Sequence, residues 1–65
     1  MSYKVGELVS QYQKGERESF VYKINKGFYV ELYRKDLYVR TVEVFERSES
    51  YAEDVAENWV LRILN

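Results

Sequence analysis

The sequence predicts an α+β domain of order α-β-β-β-α, a three-stranded antiparallel sheet with both helices on one face. Three observations point there. Apolar residues recur at helical spacing before Gly15, a hairpin pattern follows from Phe20, and a second helical stripe fills the last quarter of the chain. One domain, residues 1–65, accommodates all of it.

The first helix rests on Val5, Leu8, Val9 and Tyr12, with Ser2 as its cap and Gly15 as its C-terminal stop. Gly6 and the β-branched valines weaken it, so tertiary packing must hold it. A frayed N-terminal arm is the alternative. "SFVYKINKGFYVELYR" reads as a hairpin with a three-residue Asn25-Lys26-Gly27 loop, glycine taking the left-handed position. That loop pairs Ile24 with Phe28, Tyr22 with Val30 and Phe20 with Leu32 on the inner face. Lys23 then pairs with Tyr29, and Val21 with Glu31, on the outer face. A second turn at "RKDL" pairs Tyr33 with Tyr38, Leu32 with Val39 and Glu31 with Arg40. Beyond Arg40 the alternation breaks. Either a bulge near Arg40 or Thr41 returns Val42 and Val44 to the core, or they join Tyr29, Tyr33 and Tyr38 in an exposed strip.

The last helix carries Ala52, Val55, Ala56, Trp59, Val60 and Ile63 on one stripe. Ser50 and Glu53 form a capping box, with Ser48 as a competing cap, and Glu49, Glu53 and Asp54 complement the helix dipole. The expected core is Leu8, Phe20, Tyr22, Ile24, Phe28, Val30, Leu32, Val39, Val55, Ala56, Trp59 and Ile63.

Composition restricts the chemistry. There is no cysteine or histidine, which excludes disulfides, thiolate or imidazole metal sites, and Ser-His or Cys-His catalysis. Neither a Gly-rich phosphate loop nor a calcium-ligand pattern is present, so no cofactor is expected. The carboxylates Glu53, Asp54 and Glu57 fall on an exposed helix face, with no cleft to set two of them against each other. The expectation is a non-enzyme. No apolar run approaches the ~18 residues of a membrane helix, and the N-terminus lacks a leader pattern, so a cytoplasmic location is expected.

Charge is balanced in total, at −1, but not along the chain. Residues 23–40 hold Lys23, Lys26, Arg34, Lys35 and Arg40 against Glu31 and Asp36, whereas residues 48–58 hold Glu49, Glu53, Asp54 and Glu57 with no cation.

The stretch "FYVELYRKDLYVRTVEVFERSESYAEDVA" resembles the second and third strands and last helix of the double-stranded-RNA-binding domain. Ser48, Ala52 and Ala56 match residues of that helix. The resemblance implies the same α-β-β-β-α topology. The family grips phosphates with lysines at the start of this helix, where this chain has Glu49, Ser50 and Glu53. Only Lys26 is placed for the family's minor-groove contact. The chain is also similar in general make-up to small accessory proteins of tailed phages.

These readings lead to a small protein-binding module, an inhibitor or adaptor, with two candidate surfaces: Tyr29, Tyr33 and Tyr38 on the outer sheet face, and Glu49, Glu53 and Glu57 on the helix. The alternative is a degenerate RNA-binding-like domain using Lys23, Lys26, Arg34, Lys35 and Arg40. A weak homodimer through the "YVRTVEV" edge is a further expectation.

Overall fold

The structure, a computed structural model, describes residues 6–61. Its order is β-β-β-β-α: β1 (Glu7–Lys14), β2 (Arg17–Ile24), β3 (Gly27–Arg34), β4 (Leu37–Val44) and α1 (Glu49–Leu61). The strands form one antiparallel meander in sequence order, and α1 packs over β1, β2 and β3. The α-β-β-β-α expectation is therefore wrong, and with it the likeness to the double-stranded-RNA-binding domain. The segment expected to be the first helix is an edge strand.

The reason lies in a bulge. Leu8 pairs with Tyr22 and Ser10 with Val21, leaving Val9 as the extra residue. Val9 and Tyr12, three apart, thus both reach the core, which imitates helical spacing. Gly15 does hold a left-handed φ of 62°, but it turns a hairpin between Lys14 and Arg17 rather than ending a helix. The same backbone state serves both purposes. Ser2 and Val5 lie outside the described residues.

The β2–β3 register also differs from expectation. Two residues, Asn25 and Lys26, separate the paired Ile24 and Gly27, so Val21 opposes Val30, Ser19 opposes Leu32 and Tyr22 opposes Tyr29. This one-residue shift sends Phe20, Tyr22 and Ile24 to the face away from the helix. Beneath the helix it leaves Ser19, Val21, Val30 and Leu32, the largest of the fully buried side chains. Small residues win this face because α1 lies close to it. Ala52 and Ala56 are fully buried, and Ser19 Oγ donates to the Ala56 carbonyl at 2.9 Å. A phenylalanine or tyrosine at those sheet positions would hold the helix off.

At the other turn, Tyr33 does pair with Tyr38, but Leu32 meets Arg40 and Glu31 meets Thr41. The bulge falls on Val39, just ahead of the expected site. It has the expected effect: Val44 is buried and Val42 packs against the core. Val39 itself is 42% exposed, and Leu8 is 49% exposed, so neither belongs to the core. Lys35 and Asp36 both hold positive φ, 55° and 67°, the backbone of a tight two-residue hairpin turn.

On α1 the stripe is as expected: Ala52, Ala56 and Val60 are buried, and Val55 and Trp59 pack beside them. Ile63 lies outside the described residues. The cap is Ser48, whose Oγ accepts the Tyr51 N–H at 3.2 Å, and not the expected Ser50 box. Glu53 is engaged elsewhere, accepting the Ser10 hydroxyl at 2.7 Å. Among the described residues no helix is long and apolar enough to cross a membrane.

Candidate interaction surface on the helix-free face

The register sorts side chains by face, since directly paired residues point the same way. On the face away from α1 lie Phe20 and Tyr22 of β2, Tyr29 and Tyr33 of β3, and Tyr38 of β4. Their rings form a connected arc. Tyr29 stacks on Tyr22 at 5.2 Å, Tyr22 on Phe20 at 6.5 Å, Phe20 meets Tyr33 edge-on at 5.5 Å, and Tyr33 meets Tyr38 edge-on at 5.8 Å. Tyr29 is buried, Phe20, Tyr22 and Tyr33 are half-buried, and Tyr38 is 57% exposed. Gly6 lies at the Tyr29 end of this arc, so close that a Cβ there would sit 2.9 Å from the Tyr29 hydroxyl oxygen.

Glu31 sits inside the arc. It is flanked by Tyr29 and Tyr33 along β3 and paired with Phe20 and Thr41 across it. Its Oε1 accepts the Tyr33 hydroxyl at 3.2 Å. Burial, then the Glu31 carboxylate, raises the hydroxyl pKa values of Tyr22, Tyr29 and Tyr33 above their ordinary value. These hydroxyls therefore stay protonated at neutral pH and remain available as donors.

The strand cations lie on one side of the sheet and the strand carboxylates, apart from Glu7 paired with Lys23, on the other. Glu18, Glu31 and Glu43 lie on the helix-free face, paired with Gln13 and Tyr33, with Phe20 and Thr41, and with Tyr29. The strand cations Lys14, Arg17, Lys23, Arg34 and Arg40 all lie on the opposite side, in register with Ser19, Val21, Phe28, Val30 and Leu32. Among the described residues the face is aromatic and acidic, without a strand-borne cation.

This division corrects part of the sequence reading. Tyr29, Tyr33 and Tyr38 do share the outer face, but Lys23 and Arg40 are not beside them. Lys23 Nζ lies over the Phe28 ring at 5.9 Å on the helix side. Phe20, Tyr22 and Glu31 belong to the surface and were missed, because the expected register turned the first two inward. The small Ser19 and the β-branched Val21, two residues apart in β2, were the available signal: small residues belong under an Ala-rich helix.

Glu49, Glu53 and Glu57 follow one another at four-residue spacing on α1, on the other side of the molecule from the tyrosines. Glu53 and Glu57, with Asp54, stand near Tyr12 of β1 and, after burial, help raise its hydroxyl pKa. The two candidate protein-binding sets thus form two separate surfaces.

The basic residues do not converge on one track. Lys26 is in the β2–β3 turn, its Nζ over the Phe45 ring at 5.8 Å, while Lys35 is in the β3–β4 turn at the other end of the sheet. Eight-residue strands put those turns roughly 25 Å apart. Arg34 stands 3.9 Å from Glu16 in an exposed pair that contributes little.

A second uncovered region is the corner between α1 and β4. A groove of about 470 Å³ is lined there by Val42, Val44, Phe45, Glu46, Tyr51 and Val55. β4 is also an edge strand, with Leu37 at 69% exposure.

No protein-family model matches the chain, and no curated protein or solved structure is significantly similar to it.

Proposed function

We propose that this chain is a small, non-catalytic protein-binding module that engages its partner through the helix-free face of the sheet. The observation that carries this reading is the connected arc of Phe20, Tyr22, Tyr29, Tyr33 and Tyr38 left uncovered by α1. Aromatic residues supply large contact area at low entropic cost, and tyrosine keeps a polar tip that stays hydrogen-bonded in an interface. Half-buried Phe20, Tyr22 and Tyr33 and exposed Tyr38 carry the accessible part of this arc, and clustered aromatic surface on a small domain supports a contact role. Nucleic acid is disfavoured there, because Glu18, Glu31 and Glu43 repel phosphates and, among the described residues, no strand cation on that face attracts them.

Quantitative affinity capture from the native cell tests the reading. The unmodified chain should retain a protein partner, the Tyr33→Ser/Tyr38→Ser variant should lose it, and Lys26→Ala/Lys35→Ala should keep it. Retention of RNA that disappears on replacing Lys26 and Lys35 would overturn the reading.

A second reading, self-association through β4, is favoured by the exposure of Leu37, Tyr38 and Val39 on an unpaired edge and by the adjoining groove. Sedimentation decides it. A monomer at high concentration removes this reading and leaves the first intact.

A further inference from the structure

Resting on the helix-free face as the contact surface, we propose that its partner presents an arginine, seated among the rings above Glu31. The first support is charge complementarity. The face holds Glu18, Glu31 and Glu43, and the exposed Arg34–Glu16 ion pair lies elsewhere. A partner's cation is therefore attracted to carboxylates that no cation of the described chain neutralises.

The second support is the surroundings of Glu31. Phe20, Tyr29 and Tyr33 are its immediate neighbours on the face, and Tyr22 stacks on both Phe20 and Tyr29. Ring faces attract cations, most strongly where water is partly excluded. A carboxylate within a ring arc adds a charge-assisted acceptor at the point toward which the rings draw the cation.

Arginine suits this arrangement better than lysine. Its planar guanidinium stacks on a ring face while its edge donates to a carboxylate, and it is more weakly hydrated than an ammonium. Tyr33 already donates to Oε1 of Glu31, which leaves Oε2 and the second lone pair of Oε1 for the guanidinium. The acidic ridge of Glu49, Glu53 and Glu57 offers carboxylates without such an arc. The arc therefore discriminates between two acidic surfaces on one small protein.

The test is an NMR titration of the full chain, read on the ring resonances of Phe20, Tyr22, Tyr33 and Tyr38. Four synthetic peptides share a neutral Gly-Ser frame carrying arginine, lysine, glutamate or norleucine at the same two positions. The arginine peptide should shift those rings, bind more tightly than the lysine peptide, and weaken as salt rises. Glu31→Gln should reduce its affinity about tenfold or more, the range for removing the charge from a charge-assisted hydrogen bond. Glu43→Gln, at an exposed position, gives a smaller loss in the same direction and serves if the first variant unfolds. Equal binding of the arginine and norleucine peptides on these rings would overturn the arginine site while leaving the contact face standing. Shifts confined to the amides around Glu49, Glu53 and Glu57 would overturn the arginine site by assigning the cation to the helix.

Discussion

Gly15 and Gly27 both hold positive φ, at 62° and 136°, yet their surroundings are opposite. A Cβ on Gly15 meets nothing within 4 Å, so Gly15→Ala carries only backbone strain. For an L-residue that strain is about 1–2 kcal/mol, offset by ~0.4–1 kcal/mol from a less flexible unfolded chain. The net expectation is a loss of about 1 kcal/mol. A Cβ on Gly27 would lie 2.3 Å from the Phe45 carbonyl oxygen and 2.8 Å from its Cα. These are backbone atoms that no side-chain rotation can clear, so the chain just after β4 must shift away from the β2–β3 turn. Overpacking of that kind adds roughly 1–3 kcal/mol, which brings Gly27→Ala to about 2–4 kcal/mol. A 65-residue domain has only ~3–10 kcal/mol of stability in total. Urea unfolding followed by circular dichroism measures both variants, and equal slopes would show that the two-state comparison is valid. The informative quantity is the difference between the two glycines, which combines the Phe45 clash with the greater backbone strain at φ 136°, outside the left-handed well that Gly15 occupies. Equal losses for the two variants would refute the close approach of Phe45 to Gly27.

Four further outcomes follow from the packing and caps. Ser48→Ala should cost about 1 kcal/mol by removing the N-cap, while Ser50→Ala should be close to neutral; urea midpoints compare the two. Asp36→Gly should stabilise by about 0.5–1 kcal/mol, since Asp36 occupies left-handed backbone that glycine enters without strain, and thermal melting reads the gain. Trp59 is half-buried, under the Arg17 guanidinium at 4.3 Å and with Nε1 donating to the Tyr33 carbonyl at 3.3 Å. Trp59→Ala should therefore cost about 2–3 kcal/mol by circular dichroism, at the low end of large aromatic deletions. Burial first, and carboxylates second, raise the hydroxyl pKa values of Tyr12, Tyr22, Tyr29 and Tyr33 above the ordinary 10.0. The folded chain then keeps protons that the unfolded chain releases. Their stabilising contribution is complete below about pH 10 and is lost as pH rises through the raised values. Tyrosinate absorbance should show late-titrating groups, and urea midpoints should fall across that same alkaline range.

The helix was legible because its stripe has one period and one apolar face. Ala52, Ala56 and Val60 could be placed before any fold was known. The hairpin was legible as a hairpin but not in register, because "FVY" in β2 and "FYV" in β3 are apolar on both faces. Alternation specifies register only where one face is polar. Both registers bury aromatic and aliphatic groups, and the choice is made by α1, a long-range partner that needs Ser19 and Val21 beneath its alanines. At β1 the bulged Val9 hid the strand period behind a spacing of three. The tyrosines of the candidate surface were visible as an alternating set in β3 and β4. The central position of Glu31 was not, since it depends on Phe20 and Tyr22 turning to the same side.

The connectivity imposes an order on assembly during synthesis. Each hairpin of the meander joins neighbours through a two-residue turn and can close as soon as it emerges. The helix closes the structure from far away: Ser10 meets Glu53 and Ser19 meets Ala56 across 43 and 37 residues. Until residues 49–61 leave the ribosome, the nascent sheet has neither side covered, with Val21, Val30 and Leu32 open on one and the tyrosine arc on the other. A premature stop just before Glu49 would therefore release a sheet with both faces open, a species prone to aggregation.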